Sequence, residues 1–274
     1  MKILFVGDIV GKPGRDAVCT LLPQLVKEHG LDFTVVNAEN AAGGSGITPK
    51  VAEELFNCGV NVLTSGDHVW KKRELLDIIN EEERIIRPIN FPSGAPGRGA
   101  KVYQAKNGIK IGVINVQGRV FMQPLECPFK TARQAREELA QDAKVILVDM
   151  HAEATSEKVA LGWYLDGLVS AVVGTHTHVQ TADERVLPGG TAYITDLGMS
   201  GPIDSVIGRK KEEVIERFIT SVPIKFSIAE EDIQLQGVIL DIDENTGKAR
   251  SIVRIKRKIV NEKIQNPNTA NTTK

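Results

Sequence analysis

Four of the five histidines in this 274-residue chain follow short apolar runs, and so do three acidic residues. Asp8 follows the run at 3–6, Glu39 and Asn40 the run at 33–36, and Asp67 and His68 the run at 60–63. His151 follows the run at 145–148, and His176 and His178 the run at 169–173. Apolar runs of this length, bounded by turn residues, read as β-strands. Open α/β sheets bind ligands outside the carboxyl ends of their strands. One aspartate after a strand is commonly a turn residue, and one buried histidine is commonly a satisfied core residue. Three carboxylates and four imidazoles converging on one edge are not explained that way, because desolvating them without a cation is costly. In His176-Thr177-His178, alternate residues of an extended chain face one way, so both rings can reach neighbouring ions. Mixed histidine and carboxylate ligands suit zinc, manganese or iron rather than a magnesium-only oxygen cage. The supply exceeds one tetrahedral site, and two ions about 3.5–4 Å apart fit it best. Glu39, mid-sequence among the ligands and next to Asn40, is the carboxylate expected between them. The fifth histidine, His29, stands at a helix C-terminus, where interaction with the helix dipole suffices.

To gather these residues at one edge, the chain must alternate strands and helices. Val18, Leu21, Leu22, Leu25 and Val26 share one face of a helix that ends at Gly30. Thr48-Pro49 opens a second helix as N-cap and first helical residue, and Gly59 closes it. Further helices are expected at about 72–83, 131–141, 156–165 and 212–219. Strands are expected at about 101–104 and 110–116, around the hairpin signal Asn107-Gly108, and at about 192–195. Segments 224–228, 238–242 and 251–255 alternate as antiparallel strands, with Asn245-Thr246-Gly247 as a turn. Residues 87–99, rich in proline and glycine, read as a long surface loop. The pattern is α/β: two sheets, parallel-rich first and antiparallel later, in one domain over residues 1–262. The polar tail at 263–274 is expected to be disordered.

An apolar fraction of 42%, a charged fraction of 25% and a net charge of -1 are those of an ordinary soluble globular chain. No overall positive field marks a binder of RNA or of membranes. No apolar run approaches the roughly 20 residues of a membrane span. The run at 3–6 is too short for the signal-peptide core of about 7–15 residues. The three cysteines, Cys19, Cys58 and Cys127, are odd in number and not closely spaced. Cys19 and Cys58 fall in helical patterns and read as small core residues, which makes a reducing, cytoplasmic compartment the default. Gly7-Asp8-Ile9-Val10-Gly11-Lys12 is superficially like a Walker A loop. It is one residue short between the glycines, and Pro13 stands where Ser or Thr is required. Residues 11–15 and 43–46 could each bring backbone N–H groups to a phosphate, or be ordinary tight turns.

In this order, Gly7-Asp8, Asn37-Ala38-Glu39-Asn40, Gly66-Asp67-His68, His151 and Gly174-Thr175-His176-Thr177-His178 resemble the calcineurin-like metallophosphoesterases. The stretches at 7–15 and 37–44 resemble the bacterial YmdB-type branch, and the likeness runs to about residue 258. The resemblance implies a four-layer α/β/β/α sandwich of two mixed sheets flanked by helices. It implies one ion on Asp8, Glu39, Asn40 and His178, and another on Glu39, Asp67, His151 and His176. His68 would be the general acid, or would steady the phosphate. The metals implied are iron and/or manganese, with zinc as an alternative. The substrates implied are phosphodiesters, including 2′,3′-cyclic nucleotides, attacked by a hydroxide bridging the ions. Homo-oligomerisation is left open.

The chain departs from the wider family in three places. Asp8-Ile9-Val10 lacks the usual Asp-x-His, so Asn40 stands in for the histidine. Glu39 replaces a bridging aspartate. Both are traits of the branch. The third is less expected: Gly66-Asp67-His68 replaces Gly-Asn-His. With two divalent ions and a hydroxide, Asp8, Glu39 and Asp67 leave the centre about neutral, where asparagine would leave one positive charge. Asp67 is therefore expected to tighten metal binding or favour an Fe(III)/M(II) pair, and to weaken attraction for a phosphate anion. Unchanged metal content, redox state and KM in Asp67→Asn would contradict this. Three rivals remain. Relatives in poly-γ-glutamate or capsule assembly carry a late His-x-His, but no membrane anchor is evident here. A metal-stabilised regulatory or RNA-binding protein would bind ligand without hydrolysing it. An amidohydrolase barrel would carry its His-x-His on the first strand.

Overall fold

The structure, a computed structural model, describes residues 1–259, so the tail at 263–274 lies outside the described residues. In chain order the first elements are β1 (Lys2–Val6), β2 (Asp8–Ile9), α1 (Gly11–His29), β3 (Phe33–Asn37), α2 (Pro49–Asn57) and β4 (Val62–Thr64). Next come β5 (Ala100–Gln104), β6 (Lys110–Gln117), α3 (Pro128–Leu139), β7 (Val145–His151), α4 (Thr155–Tyr164) and β8 (Ala171–Thr175). The last are β9 (Arg185–Val186), β10 (Ala192–Ile194), β11 (Met199–Pro202), α5 (Lys211–Thr220), β12 (Ile233–Ile242) and β13 (Ala249–Lys258).

The strands form two mixed sheets. The first runs β2-β11-β12-β1-β3-β4, with β13 also on β12, and the second runs β5-β6-β7-β8-β10-β9. Pairings β1–β3, β3–β4, β6–β7, β7–β8 and β8–β10 are parallel. Alternate residues of each central strand serve different cores, as the pleat requires. Ile3 and Phe5 of β1 meet Val145 and Leu147 of β7 between the sheets. Leu4 and Val6 pack outward on Val18, Leu21 and Leu22 of α1 and Leu55 of α2. Ile146, Val148 and Met150 pack on the other outer side against Ala132 and Ala135 of α3 and Leu161 of α4. The result is helix, sheet, sheet, helix: the four-layer sandwich expected from the sequence.

Several local expectations are corrected. Thr48 does cap α2, accepting from Val51 N at 3.3 Å. The helix expected at 72–83 is only a 3-10 turn, Arg73–Asp77, followed by further turns. The chain must swing back there so that Ile85 can bridge Leu63 beside β4, and this tertiary pairing overrides helix propensity. The strand expected at 224–228 is absent. The edges of β12 are already taken by β1, β11 and β13, and the segment makes only an isolated antiparallel bridge, Ile228 to Arg209. Residues 11–15 are no phosphate loop: α1 begins at Gly11. Arg15 is committed to Glu54, at 3.0 Å, and to the Ala41 carbonyl, at 2.7 Å.

Cys19 and Cys58 are not separate core thiols but a disulfide, with their Cα atoms 5.0 Å apart. The packing of α1 beside the end of α2 brings together two positions that lie 39 residues apart in sequence. The cysteine argument for a reducing compartment therefore falls away. No helix among the described residues is long and apolar enough to cross a membrane.

Candidate metal centre

Parallel strands place their carboxyl ends side by side, and both sheets do so at one end of the molecule. The first sheet supplies Asp8 from β2, Glu39 and Asn40 just after β3, and Asp67 and His68 just after β4. The second supplies His151, the last residue of β7, and His176 and His178 just after β8. These side chains meet where the two sheets abut. His29, in the last turn of α1, is not among them.

Two ligand groups emerge, each with its donor atoms within 4.8 Å of one another: Glu39, Asp67, His151 and His176, and Asp8, Glu39 and His178. Glu39 belongs to both. In the first group, His151 Nε2 lies 2.9 Å from Glu39 Oε2, 3.1 Å from Asp67 Oδ1 and 3.0 Å from His176 Nδ1. In the second, His178 Nε2 is 3.9 Å from Asp8 Oδ1 and 3.2 Å from Asn40 Nδ2. The Asn40 carbonyl oxygen accepts from His68 Nδ1 at 2.9 Å, which leaves it one lone pair. Gly66 has a steric role here: a Cβ at this position would collide with Glu39 Oε2 and His151 Nε2.

The donor set fits cations. Asp8 is fully buried, and its Oδ1 has no hydrogen-bond partner, an arrangement that costs about 1–3 kcal/mol or more unless something positive faces it. Burial pushes the Asp8 carboxyl well above the usual range, and the nearby Glu39 carboxylate adds to this. Burial also opposes ionisation of Glu39, but the charges and hydrogen bonds of His151 and His68 outweigh it and hold Glu39 well below its ordinary value. His151 shows the converse: burial disfavours its charge, yet Glu39, Asp67 and Asp8 raise it well above normal. A cation entering this group would displace that proton, since ligand imidazoles bind in the neutral form. Burial lowers His178, and burial with the repulsion of His151 lowers His176 to about 4, so both rings are neutral, ligand-ready bases.

Each ligand ring is oriented by a partner that the strand-end pattern did not reveal. His151 Nδ1 donates to Thr175 Oγ1 at 2.9 Å, and that hydroxyl donates to Asp149 Oδ1 at 2.7 Å. Asp149 also accepts from Asn37 Nδ2 at 3.0 Å and from Thr64 Oγ1, so one buried carboxylate joins the ends of β3, β4, β7 and β8. His178 Nδ1 donates to the Ile207 carbonyl at 3.2 Å, and His176 Nε2 faces Glu153 Oε2 at 3.2 Å. Such partners fix which nitrogen faces the ion. An aspartate directly after the apolar run at 145–148, two residues before His151, was the available signal for Asp149. Nothing local marked the others.

The His-x-His segment is not extended, as alternation had suggested. His176 and His178 both have positive φ, at 93° and 66°, a conformation costing roughly 1–3 kcal/mol per non-glycine residue. Thr177 between them donates to Asp196 Oδ2 through its N at 3.2 Å and its Oγ1 at 2.6 Å. Lys158 Nζ clamps the same carboxylate at 2.7 Å and Thr177 Oγ1 at 3.0 Å, with both ions buried. Asp196→Ala is expected to destabilise the fold by about 3–5 kcal/mol, because it strands the Lys158 ammonium. It should also weaken metal affinity about 10- to 100-fold. Adding Lys158→Met removes the stranded charge, so stability should recover while metal affinity does not. Calorimetric melting and metal titration read the two separately, and recovery of both would show that Asp196 does not position the histidines.

Fold and site together define an α/β sandwich with histidine- and carboxylate-lined groups that could hold metal ions. A family model described as YmdB-like protein matches residues 4–255, and the chain belongs to that family. It is 50% identical over 262 residues to a Bacillus subtilis protein named 2′,3′-cyclic-nucleotide 2′-phosphodiesterase, covering 96% of this chain and 98% of that one. A Thermus thermophilus crystal structure, described as a hypothetical protein, superposes with a TM-score of 0.88 at 38% identity, covering 94% of this chain and 99% of that one. A crystal structure described as a novel phosphatase from Mycoplasma pneumoniae gives 0.88 at 36% identity, with coverages of 94% and 93%.

Proposed function

We propose that this chain is a metal-dependent phosphodiesterase whose substrates include 2′,3′-cyclic nucleotides, and that it belongs to the calcineurin-like superfamily. One observation carries the two-ion reading: Glu39 is common to both ligand groups, and beside it lies the unsatisfied, buried Asp8 Oδ1. Asp8, Glu39, Asn40 and His178 would hold one ion, and Glu39, Asp67, His151 and His176 the other. Iron and manganese are the expected metals. When bound, such ions polarise the phosphoryl group, activate water and neutralise developing charge. The protein's part is to hold the rings in place through Thr175, Ile207 and Asp196, and to deliver a proton. His68 serves that last role. It lines the cavity beside the centre, and its hydrogen bond to Glu39 raises its pKa, which favours the protonated ring a general acid needs. With Nδ1 held by Asn40, its Nε2 is the atom free to protonate a leaving alkoxide.

The test is elemental analysis of untagged protein, coupled to hydrolysis of bis-p-nitrophenyl phosphate and 2′,3′-cyclic AMP. Close to two ions per chain with metal-dependent turnover is expected. Two ions without turnover would favour a binding role, and failure to take up metal on reconstitution would overturn the reading.

A further inference from the structure

The cavity over the metal centre, of about 810 Å³, has two unlike walls. One carries His68, His176 and His178. The other is built from residues 206–226 and carries Arg209, Arg217, Phe218 and Phe226. A larger groove of about 1080 Å³, along α1 and β13, contains no member of the ligand groups.

The second wall is costly to leave facing water. Phe218 is 82% exposed. The Arg217 guanidinium lies over the Phe226 ring, 5.2 Å from its centroid. Arg209 donates to the Gly44 carbonyl at 2.6 Å. Among the described residues, neither arginine has a carboxylate within 4.0 Å. The wall is also anchored to the centre. Val206 and Arg209 exchange backbone hydrogen bonds of 2.9 and 3.0 Å across a tight turn, with φ of 44° at Ile207 and 94° at Gly208. Two successive positive φ values define a type I′ turn. A Cβ at Gly208 would stand 2.6 Å from Val10, so glycine lets the turn seat closely. The Ile207 carbonyl in this turn is the one that orients His178.

A ligand whose anionic group lies at the metal centre would thus extend toward aromatic faces backed by cations. Aromatic side chains stack nucleobases, an arginine over a ring adds cation–π attraction, and the volume lies within the usual range for small-molecule sites. We propose that Phe218 and the Arg217–Phe226 pair form a nucleobase subsite, stacking the base of a nucleotide whose phosphate occupies the metal centre. This rests on the phosphodiesterase reading. Stacking reads ring area rather than base edges, so the subsite accepts every base and favours purines.

The experiment uses the metal-loaded full chain and the variants Phe226→Ala, Phe218→Ala/Phe226→Ala and Phe226→Tyr. Calorimetry gives affinities for 3′-AMP and for inorganic phosphate. Kinetics give kcat/KM for 2′,3′-cyclic AMP and for glycerol 1,2-cyclic phosphate, a cyclic diester without a base. In the double variant, the nucleotide-to-phosphate affinity ratio and the ratio of the two kcat/KM values should both fall roughly 5- to 150-fold. Phe226→Tyr should retain both ratios. An affinity ratio in the double variant within about twofold of the unaltered chain, against that stacking scale, overturns the subsite. If the unaltered chain hydrolyses neither diester, the phosphodiesterase reading fails, and the affinity ratio still decides the subsite.

Discussion

Glu39→Gln is expected to cost the protein both of the proposed ions while leaving the fold intact. Glutamine keeps the shape of the side chain but removes the one negative charge common to the two ligand groups. It also turns an acceptor into a donor at one of two oxygens. Both are in use: Oε1 accepts from Asn40 Nδ2 at 2.8 Å, and Oε2 lies 2.9 Å from His151 Nε2. Metal content should drop below one ion per chain, and turnover by about 10³-fold or more. That is the several kcal/mol of charge stabilisation that metal ions supply to such reactions, at 1.36 kcal/mol per tenfold. Asp8 sits in only one group, so Asp8→Asn should remove one ion at most. Metal analysis of the two variants side by side separates a shared carboxylate from a private one. Glu39→Gln protein that keeps two ions and turns over within about tenfold of the unaltered chain, a change of only 1.36 kcal/mol, would show that Glu39 does not bridge.

What could be read from the sequence, and what could not, divides along physical lines. The candidate ligands were legible because each is a charged, amide or imidazole side chain within a few residues of the end of an apolar run, and an α/β sheet presents such positions at one edge. Their supports were not legible, because each support is a pairing across large sequence distance. Asp149 meets Asn37 from 112 residues away, and His178 meets the Ile207 carbonyl, a group with no sequence signature at all. The His-x-His segment shows both sides of this. Its residue types announced two candidate ligands, but the backbone that presents them is a pair of positive-φ residues clamped by Asp196 and Lys158, not an extended strand. The same limit explains the helix that shortened to a 3-10 turn to let Ile85 reach Leu63. It explains the disulfide between Cys19 and Cys58 as well, which only the packing of two helices reveals.

His68→Ala is expected to keep both proposed ions and to lose activity by about 10²–10⁴-fold, the usual contribution of a positioned general acid. The retention follows from the geometry. His68 belongs to neither ligand group; its Nδ1 lies 2.9 Å from Asn40 Oδ1 and 3.3 Å from Glu39 Oε1, and its remaining contact to Glu39 is through the backbone N, which the substitution leaves in place. Its side chain is 31% exposed, and its Nε2 stands 3.7 Å from Asp67 Oδ2, at the rim where a substrate would enter. Loss of activity alone would not separate a proton donor from a residue that steadies the phosphate. The leaving group does. A ribose alkoxide needs a proton as it departs, whereas p-nitrophenolate is stable as an anion. Removing a general acid should therefore cost far more on 2′,3′-cyclic AMP than on bis-p-nitrophenyl phosphate, and the gap should appear in kcat rather than in KM. Equal losses on the two substrates would reassign His68 to holding the phosphate. Full activity on both would remove it from the reaction.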